Sequence, residues 1–293
     1  MIVLDGGIGR HLEKMGAPFG QPEWSALSLI QEPDFVLRAH KDFIDSGADV
    51  ITTNSYAIVP FHIGKDRFEK EGKDLLIRAG NIAKEAVKLY KREIKIAASI
   101  PPVLGSYKPD VFNSEKAIPI LEIFKNNLIQ FCDLILAETL SSIDEIKTIQ
   151  RVFGECKIPF WISLTIEDEY YNIPKLRSGE EIVTALRKID FNKISSVLFN
   201  CSQPEVMAKA IKVAKNLVPE NTSLGVYANA FQPIKIGQRD ANSQIRNIRQ
   251  ELTPEKYFDF VKEWNELEVD IIGGCCGIGP EHIKKICELK KNR

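Results

Sequence analysis

The stretch IIGGCCGIGP, residues 271–280, joins a short β-branched run to the start of a helix through a loop of glycines and cysteines. The run VDIIGG (269–274) has the composition of a buried strand, and the Gly-Pro-Glu that follows the loop is typical of a helix start. A strand followed by a helix is the repeating unit of a parallel α/β sheet. The position of two neighbouring cysteines at the end of such a strand calls for a chemical explanation.

The same alternation of strand and helix recurs along all 293 residues. Eight apolar runs are predicted to be strands, at residues 1–4, 49–54, 94–100, 134–138, 160–165, 195–200, 224–229 and 269–274. The segments between them carry apolar residues at helical spacing. This pattern predicts a (β/α)8 TIM barrel that occupies residues 1–293 as one domain. A doubly wound open sheet is the alternative, because strands counted from a pattern are uncertain by about one or two.

Composition and charge exclude several classes of function. The 39 Lys and Arg nearly balance the 40 Asp and Glu, so no summed field attracts nucleic acid or anionic lipid. The apolar run before Asp5 is too short for a signal peptide, and no later run reaches membrane-spanning length, which predicts a cytoplasmic protein. Six cysteines are too few for a disulfide framework, and grouped cysteines in a reducing compartment indicate metal binding or catalysis.

Chemically capable side chains gather where the predicted strands end. In a barrel of this type the active site lies at the carboxyl ends of the strands. The residues found there are Asp5, Gly6, Gly7, Thr52, Thr53, Asn54, Tyr56, Glu138, Thr139, Asn200, Cys201, Tyr227, Asn229, Cys275 and Cys276. This concentration predicts a polar site at one mouth of the barrel.

Three of the cysteines are predicted to converge at that mouth. The sixth and eighth strands are alternate members of the barrel, so inward side chains at their ends share a layer and Cys201 can meet Cys275 and Cys276. Three thiolates with a fourth position open are the arrangement of a catalytic zinc site, which predicts a bound Zn²⁺. Incidental strand-end cysteines are the alternative. The other cysteines, Cys132, Cys156 and Cys287, are predicted to be packing residues.

Several short motifs together indicate a family. LDGGIGRHLEKMG, PEWSAL, ITTNSY, ILAETL, PFWISLT, LFNCSQPE, GVYANA and IIGGCCGIGPEHI occur in this order and span nearly the whole chain. Taken together they resemble the homocysteine S-methyltransferase family, zinc-dependent barrels that transfer a methyl group to homocysteine to give methionine. The resemblance implies that Cys201, Cys275 and Cys276 are both the catalytic centre and the zinc ligands.

The resemblance also implies how homocysteine is bound. Asp5 and Glu138 match the acidic groups that hold its amino end. The backbone of Gly6 and Gly7 and the hydroxyl of Ser25 match the surroundings of its carboxylate. These residue types suit the roles, because an ammonium group binds carboxylates and a carboxylate binds accessible N–H groups.

The methyl donor is less constrained by the sequence. Thr139 stands where betaine-using relatives carry a tyrosine, and their long C-terminal extension has no counterpart here, so the resemblance favours a small sulfonium donor such as S-methylmethionine. The segments AASIPPVLGSY and ANAF depart from the family's pattern after the third and seventh strands. Tyr56, Phe231 and Trp24 are candidates to receive a sulfonium by cation–π attraction, with ordinary packing as the alternative for each. Asn229 is predicted to line the pocket.

Other functions are weaker explanations. A barrel aldolase or lyase would require a lysine at a strand end, and no predicted strand ends in lysine. A non-catalytic thiol or metal-binding barrel with a Cys275–Cys276 disulfide leaves Asp5 and Glu138 unexplained. Betaine, selenocysteine and methylfolate chemistry are the alternatives within the family. Small-molecule substrates are the predicted partners, and the sequence does not determine the oligomeric state.

Overall fold

The protein is described here by a computed structural model, which covers residues 1–169, 171–234 and 245–291. All eight predicted strands are confirmed, with ends that differ by a few residues. They are β1 (Ile2–Val3), β2 (Val50–Thr52), β3 (Lys95–Ile100), β4 (Leu134–Leu140), β5 (Phe160–Leu164), β6 (Ser196–Asn200), β7 (Ser223–Tyr227) and β8 (Ile271–Ile272).

The strands form one parallel sheet that closes on itself. The sheet order is β1-β8-β7-β6-β5-β4-β3-β2. Between β1 and β2, Leu4 and Val50 form a parallel bridge, and Asp5 N donates to Val50 O at 3.0 Å. This bridge excludes the open sheet and confirms the (β/α)8 TIM barrel.

Twelve helices are present in the described ranges of the chain. They are α1 (Ile8–Lys14), α2 (Ala26–Gln31), α3 (Pro33–Asp45), α4 (Pro60–Ile63), α5 (Lys65–Lys88), α6 (Ser114–Asn127), α7 (Ile143–Phe153), α8 (Ile182–Leu186), α9 (Pro204–Lys215), α10 (Pro254–Glu266), α11 (Pro280–Ile286) and α12 (Glu288–Lys291). Helix α5 begins with the charged stretch KDRFEKEGKD, residues 65–74. None of the helices in the described residues is long and apolar enough to cross a membrane.

Side chains alternate between two apolar layers. In β4, Leu134 and Leu136 belong to the cluster inside the barrel, whereas Ile135 and Ala137 belong to the cluster between barrel and helices. A strand has a side-chain period of two, so the next inward residue is Glu138. The barrel interior thus changes from apolar to polar at the carboxyl ends of the strands, where the site lies.

Candidate active site

A cavity of about 140 Å³ opens at the carboxyl ends of the strands. Its walls come from the segments that follow six of the eight strands and from residues at the ends of β2, β3, β4 and β7. The described residues that line it include Asp5, Gly6, Gly7, Trp24, Ser25, Thr52, Thr53, Asn54, Tyr56, Ser99, Ser106, Tyr107, Glu138, Cys201, Tyr227, Phe231, Arg246, Cys275 and Cys276. Of the residues predicted at this mouth, Thr139, Asn200 and Asn229 are not among the described residues that line the cavity, and the others share it.

The three predicted cysteine ligands meet in this cavity. Cys201 follows β6, and Cys275 and Cys276 lie in the loop after β8; the sulfur atoms of all three lie within 4.8 Å of one another. Cys201 and Cys275 are in disulfide contact, with Cα atoms 5.7 Å apart, and Cys276 has a free thiol. The alternative of a non-catalytic thiol protein predicted a disulfide between Cys275 and Cys276, and this is not the pair that forms.

The donor set of this cluster fits a metal ion once the thiols are reduced. Sulfur ligands about 2.3 Å from a tetrahedral zinc lie about 3.8 Å from one another, which the present separations allow with small side-chain movements. Thiolate sulfur is a ligand that zinc prefers, and three protein ligands leave one coordination position for a substrate. Metal binding would require the thiolate form, so it competes with the disulfide.

Gly6 and Gly7 allow the loop after β8 to approach β1. A Cβ on Gly7 would lie 2.6 Å from the carbonyl oxygen of Cys275 and 2.8 Å from Cα of Cys276, and one on Gly6 would overlap the carbonyl oxygen of Ile278. The N–H of Gly7 donates to that same carbonyl of Ile278 at 2.9 Å. In this structure the Gly7 N–H is thus engaged within the protein, and the glycines serve the packing of the cysteine loop.

The carboxylate of Asp5 is buried and held by the neighbouring strand. Thr52 donates to Asp5 Oδ2 from its backbone N at 2.7 Å and from its Oγ1 at 3.0 Å. Burial nevertheless raises the pKa of Asp5 to about 8, and the nearby Glu138 adds to the rise. A desolvated carboxyl of this kind is stabilised in its charged form by a cation.

Glu138 points into the cavity from the end of β4. The register of β4 against β5 shifts between Ala137 and Leu140, which places a β-bulge immediately after the inward Glu138. Its carboxylate accepts from Ser99 Oγ at 2.5 Å and from the Tyr227 hydroxyl at 3.3 Å. Burial raises the pKa of Glu138 to about 7, in spite of these two donors.

Two further predicted residues have different positions. Ser25 lines the cavity, and its carbonyl accepts from Asn54 Nδ2 at 3.0 Å. Asn229 is fully buried and is not among the described residues that line the cavity. Its Oδ1 accepts from Gln203 Nε2 and from Phe231 N, both at 3.2 Å, so the side chain shapes the loop after β7. A contact between Asn229 and substrate stays a prediction.

The three aromatic candidates all face the cavity. Trp24, Tyr56 and Phe231 contribute to its wall, and the Tyr56 hydroxyl pairs with Ser106 Oγ at 2.7 Å. Burial raises the pKa of Tyr56 well above its ordinary value, which keeps the phenol neutral. The cavity wall therefore contains neutral aromatic rings as well as the carboxyl groups of Asp5 and Glu138.

Sequence reasoning missed several residues of the wall, among them Ser99, Tyr107 and Arg246. Ser99 lies two residues after Ala97, whose side chain points into the barrel. The two-residue period of β3 could therefore have predicted that Ser99 also points inward. Tyr107 and Arg246 lie in long loops and carry no local pattern that indicates a site. The Arg246 guanidinium lies 5.6 Å from the centre of the Tyr107 ring, which places a cation on a cavity wall that also contains Asp5 and Glu138.

Comparison with known proteins identifies the family of this chain. The sequence model of a family described as homocysteine S-methyltransferase matches residues 2–289. The chain belongs to the homocysteine S-methyltransferase family. It is therefore an enzyme, and the match includes every residue of the candidate site.

Individual relatives are similar over their whole length. Homocysteine S-methyltransferase 1 of Brassica oleracea var. italica is 28% identical over 316 residues, covering 99% of this chain and 94% of that protein. The protein of the same name from Zea mays is 29% identical over 323 residues, with 99% and 94% covered. The metallated form of the homocysteine methyltransferase MmuM from Escherichia coli shares the fold, with a TM-score of 0.79 at 21% identity and coverage of 99% and 96%.

Proposed function

We propose that the protein transfers a methyl group from a small sulfonium donor, S-methylmethionine, to the thiol of homocysteine, giving methionine, and that Zn²⁺ bound by Cys201, Cys275 and Cys276 supports the reaction. The observation that carries the proposal is the shared cavity, in which three cysteine sulfurs and two buried carboxylates face the same space. Membership of the homocysteine S-methyltransferase family supports the acceptor and the reaction class.

The two carboxylates suit the ammonium group of the acceptor. Asp5 and Glu138 are buried, and burial raises the pKa of Asp5 to about 8 and that of Glu138 to about 7. An ammonium group beside them would replace the lost hydration and favour their charged forms. Ser99, Tyr227 and Thr52 already hold the carboxylate oxygens, so the acceptor would meet preoriented groups.

The cysteines suit the thiol end of the same molecule. A zinc ion held by these three cysteines would favour the thiolate form of a substrate thiol, whose proton would pass to solvent. The residues of the cavity would hold the homocysteine sulfur and the donor methyl group in line. The acceptor sulfur forms a bond to the methyl carbon, and the bond between that carbon and the donor sulfur breaks with its electron pair remaining on the donor.

The donor side of the cavity suits a cationic amino acid. The faces of Trp24, Tyr56 and Phe231 attract a sulfonium, whose charge is lost when the methyl group leaves. Arg246 supplies a guanidinium that pairs well with the carboxylate of an amino-acid substrate. With S-methylmethionine, both products of the transfer are methionine.

A direct assay tests this proposal. Reduced, zinc-supplied protein should convert homocysteine and S-methylmethionine to methionine. Glu138→Gln should weaken homocysteine binding by about 2 kcal/mol or more, because a buried charge that pairs with the ammonium group is removed. The metal content should not change. Absence of methionine formation from these substrates, or equal homocysteine affinity in the variant, would contradict the proposal.

A further inference from the structure

A fully buried arginine lies behind the cysteine cluster. Arg177 belongs to the segment after β5 and has a side-chain exposure of 0%. Its Nη2 donates to Asp168 Oδ1 at 2.9 Å, and its Nη1 lies 3.7 Å from Glu167 Oε2. A buried guanidinium is costly unless it is paired and hydrogen-bonded, so the neighbouring residues determine its position closely.

This arginine contacts the backbone of a candidate metal ligand. Arg177 Nη2 also donates to the carbonyl oxygen of Cys201 at 3.4 Å, and Thr165 Oγ1 donates to that oxygen at 3.3 Å. Arg177 Nε in turn donates to Thr165 Oγ1 at 3.4 Å. One carbonyl oxygen therefore accepts from both partners.

The backbone at this point needs such support. Cys201 has φ +52°, in the left-handed region that a residue with a Cβ seldom adopts. Such a conformation costs on the order of 1–3 kcal/mol and persists where surrounding contacts fix it. The donors on the Cys201 carbonyl are contacts of this kind.

Asp168 extends the same support to two more loops. Its Oδ1 accepts from Gln203 N at 2.9 Å and its Oδ2 accepts from Ile234 N at 2.8 Å. The pair of Arg177 and Asp168 thus joins the segments after β5, β6 and β7. On its other side the Arg177 guanidinium lies 5.4 Å from the centre of the Tyr107 ring, which faces the cavity.

We propose that Arg177, held by Asp168, is a positioning residue that sets the backbone of Cys201 and thereby directs the Cys201 sulfur toward the metal position. The inference rests on the proposed function, since it assumes that Cys201 is a ligand. Arg177 does not line the cavity among the described residues, so it acts through Cys201 and not on the substrate. Outer partners of this kind affect metal affinity about 10- to 100-fold when they are removed.

The test compares Co²⁺ binding by reduced wild-type protein and variants, with the visible absorption of the thiolate-bound ion as the readout. Arg177→Met should weaken Co²⁺ binding at least tenfold and change the absorption spectrum, because the sulfur of Cys201 is misdirected. Arg177→Lys should recover only part of the affinity, since lysine retains the charge but not the planar fork. Circular dichroism establishes that each compared variant is folded.

A matched control and a milder variant keep the result interpretable. Arg92 donates to the carbonyl oxygens of Ile44 and Ala48, both at 2.7 Å, ahead of β3 and away from the cavity, so Arg92→Met should leave Co²⁺ affinity unchanged. If Arg177→Met does not fold, Thr165→Val removes one donor to Cys201 and should weaken binding several-fold. Wild-type Co²⁺ affinity and spectrum in a folded Arg177→Met or Thr165→Val would overturn the inference. Absence of Co²⁺ binding by reduced wild-type protein would instead overturn the proposed function.

Discussion

Asn200 holds Thr139 with both ends of its side-chain amide. Asn200 Oδ1 accepts from the backbone N of Thr139 at 2.9 Å, and Asn200 Nδ2 donates to Thr139 Oγ1 at 2.9 Å. Thr139 has φ +62° and follows Glu138 directly at the β4 bulge. Asn200, the residue before the candidate ligand Cys201, therefore fixes the backbone next to Glu138. This contact links the cysteine part of the candidate site to its carboxylate part.

Removal of this contact gives the first prediction. Asn200→Ala should lower the free energy of unfolding by about 1–3 kcal/mol, because the buried N–H of Thr139 loses its acceptor. It should also raise the KM for homocysteine, because Glu138 is no longer held. Denaturant unfolding and steady-state kinetics measure the two effects. Asn216 is exposed, and Asn216→Ala is the control. Its free energy of unfolding should stay within about 0.5 kcal/mol of the wild-type value. Unchanged stability and KM in Asn200→Ala would remove this role.

The second prediction concerns the approach of β1 to the cysteine loop. Gly7→Ala should displace Cys275 and Cys276, because the new Cβ would meet backbone atoms of the loop at 2.6 and 2.8 Å. We expect a loss of about 1–3 kcal/mol of stability from this overpacking, together with weaker metal binding. Gly20→Ala is the matched control, since a Cβ there meets no described atom within 4 Å. Equal metal affinity in the two variants would show that Gly7 does not support the cysteine loop.

The third prediction follows from the raised pKa values of the cavity carboxyls. The ordinary values are 3.8 for Asp5 and 4.5 for Glu138, and burial raises the folded-state pKa values to about 8 and about 7. The folded chain then retains protons that the unfolded chain releases. The contribution to stability is complete below about pH 4 and is lost as the pH rises through 7 and 8. Buried Glu145 acts in the same sense.

Unfolding of substrate-free protein between pH 5 and pH 8 checks this sign. Wild-type stability should fall as the pH rises. The stability of Glu138→Gln should fall less steeply over this range. Its stability relative to wild type should therefore increase from pH 5 to pH 7. Parallel profiles for the two proteins would mean that Glu138 does not titrate in this range.

The fourth prediction concerns the donor. S-methylmethionine should exceed betaine by at least tenfold in kcat/KM, a difference of about 1.4 kcal/mol. The reason is Thr139, which stands where the resemblance places the tyrosine of betaine-using relatives. The aromatic and cationic wall of the cavity suits either donor, because both carry a cation and a carboxylate. Parallel assays with the two donors at fixed homocysteine measure the ratio. Comparable rates with S-methylmethionine and betaine, or activity only with a methylfolate, would contradict the donor assignment. Neither result would contradict the proposed homocysteine site.

Much of the fold was predictable from the sequence, for a physical reason. Parallel strands buried on both faces read as continuous apolar runs, so all eight were found, and the grouped thiols after β6 and β8 indicated one cluster. The remaining features arise from tertiary contacts. The bulge after Glu138 depends on Asn200, which is 61 residues away from Thr139 in sequence. No local sequence pattern indicates the buried pair of Arg177 and Asp168. Its role depends on the contact between Arg177 and the carbonyl oxygen of Cys201, which is distant in sequence.

Metal content is the most direct test of the central claim, that Cys201, Cys275 and Cys276 form one metal site. Freshly reduced protein, supplied with zinc and freed of excess ion, should retain about one zinc per chain by elemental analysis, because three thiolates leave a single tetrahedral site. Cys201→Ser, Cys275→Ser and Cys276→Ser should each lose most of that zinc, whereas Cys156→Ser should retain it. Reduced wild-type protein that takes up no zinc, or full zinc content in all three cluster variants, would contradict the account.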